Sequence, residues 1–216
     1  ELYDCGDTCS CTCSDITEHI PEGSAYHFDP SRRTLAGRNV APDNYIPPLS
    51  TSKSILEKSS DLLIKVSPLF NIVLTEEYSY DIVSYNREVK EILLCYGKYN
   101  TGTTRVVILP DEEIITDNPE SEPDAAGRVE EYIYEPDPAL VKGEMVPIAA
   151  QKLGLTFVSP VVRYLTGTDK IDSPLAEAFR VREVMPFSYK TLNRFLKHSD
   201  ISHVSVKCKD SVVKAT

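Results

Sequence analysis

The 216 residues, 24.1 kDa and 41% hydrophobic content supply enough apolar material for one large core or two to three small ones, which excludes fibrous, collagen-like and wholly disordered classes. Thirty-three Asp and Glu against 23 Lys and Arg give a net charge of −10, so any contact with nucleic acid or an anionic membrane must be local. No run approaches the roughly eighteen apolar residues of a membrane span, and no charged and apolar leader marks secretion, so a cytoplasmic location without membrane contact is the expectation. The sequence opens on Glu1 rather than Met, and an upstream segment is therefore expected.

The first feature in chain order is a crowd of cysteines at positions 5, 9, 11 and 13, with two more at 95 and 208. The spacing Cys-x3-Cys-x-Cys-x-Cys lacks the distant second pair that closes a zinc tetrahedron, although His19 and His27 follow. Buried thiols in a reducing compartment, a metal centre and a disulfide all remain open at this point, and no metal ligand is assigned.

Short apolar runs at Ala25–Asp29 and Leu62–Ser67 read as strands, with a short helix between them that Ser50 caps and that runs through Leu56. Strands separated by helices predict a parallel sheet with covered faces. Tyr80–Tyr85 is a further strand. Val89–Tyr96 fits a helix by the spacing of Val89, Ile92, Leu93 and Tyr96, and a buried strand by its apolar run. From Asp111 to Asp137 eleven acidic residues accompany one cation, Arg128, and the stretch 110–127 reads as a solvated linker.

After the linker, Tyr132–Tyr134 is a strand, Asp137 an N-cap with Pro138 at the first helical position, and Gly154 a helix stop. Leu155–Val158, Val161–Leu165 and Phe179–Val184 are strands, Ser188 caps a helix that puts Leu192, Phe195 and Leu196 on one face, and Ile201–Cys208 is a last strand. Residues 176–216 carry eight Lys and Arg against four Asp and Glu, whereas residues 1–175 carry fifteen against twenty-nine. That asymmetry marks a separate basic module at the end of the chain.

A carboxylate after one strand and an Asp-Pro at the end of the next would both stand at the carboxyl edge of a parallel sheet, where open α/β folds bind ligands. A helix cap and a turn need the same residues. The blocks Asp15-Ile16-Thr17, His27-Phe28-Asp29-Pro30-Ser31-Arg32-Arg33 with Gly37-Arg38, Leu63–Pro68, Glu88–Glu91, Tyr132–Asp137, Tyr164–Gly167 and Val181–Phe187, in that order, resemble a family of class I S-adenosylmethionine-dependent methyltransferases with a C-terminal THUMP-like domain. The resemblance spans about residues 11 to 208.

The resemblance implies an α/β fold in which residues 1–109 are the second half of a Rossmann-like methyltransferase sheet. The glycine-rich cofactor loop would precede it, since this sequence has no G-x-G. A ferredoxin-like domain over 128–175 and a THUMP-like domain over 176–216 would follow. It also implies strand rather than helix for Lys90–Tyr96, as part of a closing antiparallel hairpin.

For the site, the resemblance implies S-adenosylmethionine as cofactor, with Asp15 and Ile16 beside its adenine, and Asp29 and Pro30 at the first two positions of the Asp/Asn-Pro-Pro-aromatic motif of amine methylators. Ser31 and Arg32 depart from the rest of that motif, which removes the stacking aromatic. Arg32 and Arg33 suit a substrate phosphate, or an ion pair with Asp29. Cys95 and Cys208 sit in no motif of a covalent base methylator.

THUMP-like domains resemble RNA-binding modules, so RNA is the implied partner, with Arg182, Lys190, Lys207 and Lys209 contacting phosphate and Arg180, Arg194 and Lys197 beside them. The expected function is the C-terminal portion of an RNA methyltransferase, inactive as a fragment. The alternative is a noncatalytic RNA-binding or protein-interaction module on a Rossmann-like scaffold.

Overall fold

Alternating apolar residues place one face of each strand in a core, and the chain builds two sheets on that rule, one in each of two compact units, Glu1–Asp117 and Asn118–Thr216. The computed structural model describes residues 12–34, 37–38, 41–73, 75–116, 127–159, 162–199 and 201–207. No described helix is long and apolar enough to cross a membrane.

In the first unit, β1 (Tyr26–Phe28) is followed by a small ribbon of β2 (Arg33–Thr34) and β3 (Gly37–Arg38), then by α1 (Ser52–Lys58). Ser50 does not cap this helix. It lies inside the 3-10 turn Leu49–Thr51 that leads into α1, and Ile55 anchors the helix in the core. The sheet continues with β4 (Leu62–Val66), β5 (Tyr78–Tyr85), β6 (Glu88–Tyr96), β7 (Arg105–Leu109) and β8 (Glu113–Ile115), in the spatial order β1-β4-β6-β5-β7-β8.

The parallel sheet read from the alternation of strands and helices is mixed, with the antiparallel hairpin that the resemblance implied: β1·β4 and β5·β7 are parallel, while β6 runs antiparallel to both of its neighbours and β8 to β7. The cause is local. Asn86 and Arg87 both take left-handed backbone, φ 49° and 61°, which closes β5 onto β6 as a two-residue hairpin instead of a helical crossover. The strand reading of Lys90–Tyr96 is therefore the one realised. The sheet also passes the expected linker boundary at 110, because β8 adds the buried Ile115 to the core.

Asp81 and Arg105 face each other across the parallel pair β5·β7, with the guanidinium Nε donating to Oδ1 at 2.7 Å and Nη2 donating to Oδ2. This forked contact compensates the desolvation of Asp81, whose side chain is only 10% exposed. Tyrosine hydroxyls hold the loops. Tyr45, after β3, accepts from the Ser67 amide at 3.3 Å, and Tyr80 on β5 both accepts from the Val73 amide at 3.2 Å and donates to its carbonyl at 2.8 Å.

The second unit begins with β9 (Tyr132–Pro136). Asp137 then caps α2 (Pro138–Lys142), its Oδ1 accepting from the Ala139 amide at 2.8 Å. A turn leads to α3 (Val146–Leu153), which Gly154 ends in left-handed backbone, φ 63°. β10 (Thr156–Ser159), β11 (Val162–Gly167) and β12 (Ala176–Arg180) complete a four-stranded antiparallel sheet of order β10-β11-β9-β12, packed around Tyr134, Leu140, Ala149 and Leu165. Tyr134 repeats the tyrosine device, accepting from the Ile171 amide at 3.0 Å and donating to the Asp169 carbonyl.

Two expectations fail in this unit. β12 stops at Arg180 rather than Val184 and pairs with β9 over five residues, so the sheet crosses the expected domain boundary at 175/176. Residues 201–207 form no strand. Among the described residues no strand pairs with them, and without a partner the alternation of Val204 and Val206 leaves both residues 53% exposed. The Ser188-capped helix is realised as α4 (Tyr189–His198), with Leu192, Phe195 and Leu196 half-buried.

Asp61, just before β4, accepts from the Lys98 amide at 2.9 Å and pairs with its ammonium at 3.0 Å, which holds its carboxyl below the usual range. The neighbouring Gly97 has φ +60°, and a Cβ there would collide with the Ser60 backbone. Gly97→Ala is expected to lower stability by about 2 kcal/mol or more, read from urea unfolding. Because the folded pKa of Asp61 is depressed, its contribution is present at neutral pH and fades as pH falls below about 4. Asp61→Asn should lower the urea midpoint at pH 7, and the gap from the parent should narrow toward about pH 3.

Candidate functional site

The end of β1 carries the residues that the sequence singled out. Phe28 is buried in the sheet, Asp29 emerges exposed, and Pro30 is buried again. Ser31 then exchanges two backbone hydrogen bonds with Ile46, its amide donating at 2.8 Å and its carbonyl accepting at 2.9 Å, so the chain is fixed immediately after the Asp-Pro step.

Asp29 pairs with Lys65, whose ammonium donates to Oδ2 at 3.1 Å, rather than with Arg32 or Arg33, one of the two roles open to those arginines. Lys65 also pairs with Glu91 at 3.3 Å. Three adjacent strands, β1, β4 and β6, thus contribute one charged row, and the two carboxylates raise the Lys65 pKa, with the Asp29 hydrogen bond as the leading cause. Lys65 and Glu91 were missing from the sequence-derived site. The signal was present in the alternation of Leu62–Val66, which buries Leu62, Ile64 and Val66 and turns Lys65 the other way.

Arg33 is exposed on β2. Arg32 is partly buried, and its Nη1 is enclosed without a hydrogen-bond partner among the described residues. A guanidinium nitrogen in that condition gains from an anionic acceptor.

Asp15 sits on an exposed turn before the sheet, with Ile16 half-buried beside it. Its Oδ1 accepts from the Thr17 amide at 2.8 Å and from the Thr17 hydroxyl at 2.7 Å, and these bonds, the hydroxyl first, lower its pKa. Asp15 therefore caps its own turn. No hydrogen bond or ion pair joins Asp15 to Asp29 among the described residues.

The basic candidates separate. Arg182 and Lys190 are exposed, and Lys190 shares a shallow depression of about 380 Å³ on α4 with Asn193, Arg194, Lys197 and His198. Phe187 and Tyr189, 53% and 66% exposed, form an edge-to-face pair with ring centroids 5.4 Å apart at the start of that helix. Phe187 lies before the helix, and the Ser188 cap turn separates it from Tyr189 at the first helical position. Lys207 is committed to an ion pair with Glu135 of β9, which raises its pKa. Lys209, Cys208 and Cys5, Cys9 and Cys11 of the cysteine cluster lie outside the described residues, and Cys13 is exposed.

No family model matches the chain. The chain is 27% identical over 197 residues to two uncharacterized S-adenosylmethionine-dependent methyltransferases of Mycobacterium tuberculosis, strains CDC 1551 and H37Rv, over 87% of this chain and 53% of each relative. It thus spans about half the length of the curated relatives it matches. A crystal structure from Porphyromonas gingivalis W83, of a protein provisionally assigned as a methyltransferase, shares the fold with a TM-score of 0.61 at 22% identity, over 81% of this chain and 47% of that one.

Cys95, on β6, is fully buried, and burial followed by the nearby Asp81 charge pushes its thiol up to about 12. A thiol so placed is not a nucleophile at neutral pH. Iodoacetamide at pH 8 should label Cys95 at least about a hundredfold more slowly in the folded chain than in urea, with peptide mass spectrometry as the readout.

Proposed function

We propose that the chain is the C-terminal portion of an S-adenosylmethionine-dependent methyltransferase acting on RNA, with S-adenosylmethionine as its cofactor. The observation that carries this reading is the order of the first sheet, where antiparallel β6 lies between β4 and β5 and the parallel edge strand β1 ends in Asp29-Pro30. The similarity in sequence and in fold to methyltransferases supports it. β1 is three residues long and paired on one side among the described residues, an edge that an upstream half-sheet would continue.

The residues present suit such a site. Asp15 keeps Oδ2 exposed on the turn before β1, where it would accept from an adenine amine, with Ile16 against the ring. Bound there, S-adenosylmethionine supplies a methyl group on a sulfonium that is already electrophilic, so the protein's task is orientation and exclusion of water. Lys65 fixes the Asp29 carboxylate through Oδ2, which leaves Oδ1 to accept from a substrate amine, with the Pro30 carbonyl as a second acceptor. Arg32 and Arg33 would take a backbone phosphate, Arg33 from its exposed position on β2.

RNA as substrate draws support from the second unit. The basic row Lys190, Arg194 and Lys197 on α4, with Arg182 before it and the exposed Phe187–Tyr189 pair beside it, suits phosphates and a stacked base. Strand order β10-β11-β9-β12 with two helices between β9 and β10 supports a ferredoxin-like module that includes β12 and has no described helix before it. α4 and residues 201–207 then make up the THUMP-like part. A second reading, a noncatalytic RNA-binding or protein-interaction scaffold, draws on the Lys65–Asp29 pair, which occupies a carboxylate that amine recognition uses.

Calorimetry with S-adenosylmethionine should show no binding to this 216-residue chain and clear binding once the upstream coding sequence is restored. In the restored protein, Asp29→Ala should slow methyl transfer to an RNA pool by about a hundredfold while cofactor binding persists. RNA binding that survives the substitution, with no transfer by the unaltered protein, would decide for the scaffold.

A further inference from the structure

Ile46 is 61% exposed, although Tyr45 before it is buried in the core. A single open isoleucine is ordinary on a protein surface, and its meaning depends on where it is held. Ser31 and Ile46 exchange both of their backbone hydrogen bonds, at 2.8 and 2.9 Å, as directly opposed residues of an antiparallel bridge. Side chains opposed in this way share a face. Ile46 therefore stands beside Ser31, while Tyr45 turns to the other side and accepts from the Ser67 amide.

The chain through Ser31 alternates in the same sense. Phe28 and Pro30 are buried, Asp29, Ser31 and Arg33 are exposed, and Arg32 is half-buried between the last two. β1 ends at Phe28 and β2 begins at Arg33, so the connecting residues run extended and Asp29, Ser31 and Arg33 share one face. Asp29 and Arg33 are then the two diagonal neighbours of Ile46, each about 7–8 Å from it. At the rise of an extended chain they stand about 13 Å from each other. One row thus presents a carboxylate, an apolar side chain and a guanidinium, in that order. Lys65 engages Oδ2 of the carboxylate and leaves Oδ1 for a ligand.

We infer that Ile46 is the wall on which a flat, amine-bearing ring rests while Asp29 receives the amine and Arg33 the phosphate carried on its sugar. The inference rests on the proposed amine recognition at Asp29 and deepens it, because it names the substrate class as a nucleotide of adenine or cytosine. A ring laid on Ile46 brings its edge to a carboxylate one diagonal away, and the cation on the other diagonal is as far off as the phosphate of such a nucleotide. Uracil or hypoxanthine would offer a carbonyl oxygen at the same edge, which a carboxylate cannot pair with, since both only accept. A free mononucleotide and a nucleotide within RNA share this chemistry.

The test uses the 216-residue chain and NMR titration with adenosine monophosphate as probe. Ribose phosphate removes the ring, inosine monophosphate replaces the amine by a carbonyl, and adenosine removes the phosphate. Ile46→Ala should weaken adenosine monophosphate by about tenfold and leave ribose phosphate unchanged. Ile46→Phe, which presents a ring of its own, should restore the binding or tighten it. Because Ile46 is open, neither substitution should move the urea midpoint, and a loss confined to ring-bearing probes is one that damage to the fold cannot produce. Arg33→Gln should weaken adenosine monophosphate several-fold and leave adenosine unchanged.

An adenylate trimer binding more tightly than the monophosphate would identify RNA as the source, and weaker binding of it a free nucleotide. The inference is overturned if adenosine monophosphate does not bind, if Ile46→Ala binds it as well as the parent does, or if ribose phosphate alone binds as tightly. Inosine monophosphate binding as tightly as adenosine monophosphate would instead overturn amine recognition at Asp29, and the ring contact would still be decided by Ile46→Ala.

Discussion

Both units depend on buried tyrosines that use the ring for packing and the hydroxyl for backbone. Tyr45, Tyr80 and Tyr134 are each at most 1% exposed, and each hydroxyl meets a main-chain group outside regular structure. A loop over a sheet end carries amides and carbonyls that lose water without gaining ladder partners, at a cost of about 1–3 kcal/mol for each one left bare. One phenol resolves two of them at once, as Tyr80 does for both main-chain groups of Val73. The stretches 67–73 and 168–175, which would otherwise be long unsupported connections, are thereby held to the strands beside them.

Electrostatics complements this on the first sheet, with two charge arrangements of different character. Asp81–Arg105 is forked, largely enclosed and placed between parallel strands, so it fixes register where there is no hairpin to do so. Asp29–Lys65–Glu91 is more open and runs across three strands at the sheet end where the Asp-Pro step emerges. The first suits permanence. The second suits a carboxylate that must be held in place and still reach a partner, which is the property that the proposed amine recognition at Asp29 would require.

Sequence alone disclosed those parts whose signal was local. The Asp137 cap with Pro138, the Gly154 stop, the Ser188 cap and the central strands were all readable, because each follows from a side chain acting on its own or the next turn. What escaped was nonlocal. The antiparallel insertion of β6 was implied by the family resemblance and not by the residues themselves, since it follows from Asn86-Arg87, a turn pair without glycine whose left-handed backbone no composition rule demands. β8 was hidden by its acidic surroundings, although Ile115 carries it into the core. The partner of Asp29 depended on which strand lay beside β1, and a one-dimensional pattern that names Lys65 as outward-facing does not say what it meets. Residues 201–207 show the converse error, since alternation is a property of a strand only when another strand pairs with it.

The pairing of β12 with β9 has a practical side. A polypeptide ended at residue 175, where charge asymmetry invites a cut, would lose β12 and leave one flank of β9 with its hydrogen-bonding groups open over the five positions from Tyr132 to Pro136. Such a flank is a template for a strand from another molecule, and Glu135 and Pro136 blunt only one end of it. Recombinant pieces of this protein ended there are set to aggregate, whereas pieces that keep Arg180 retain their own protective border.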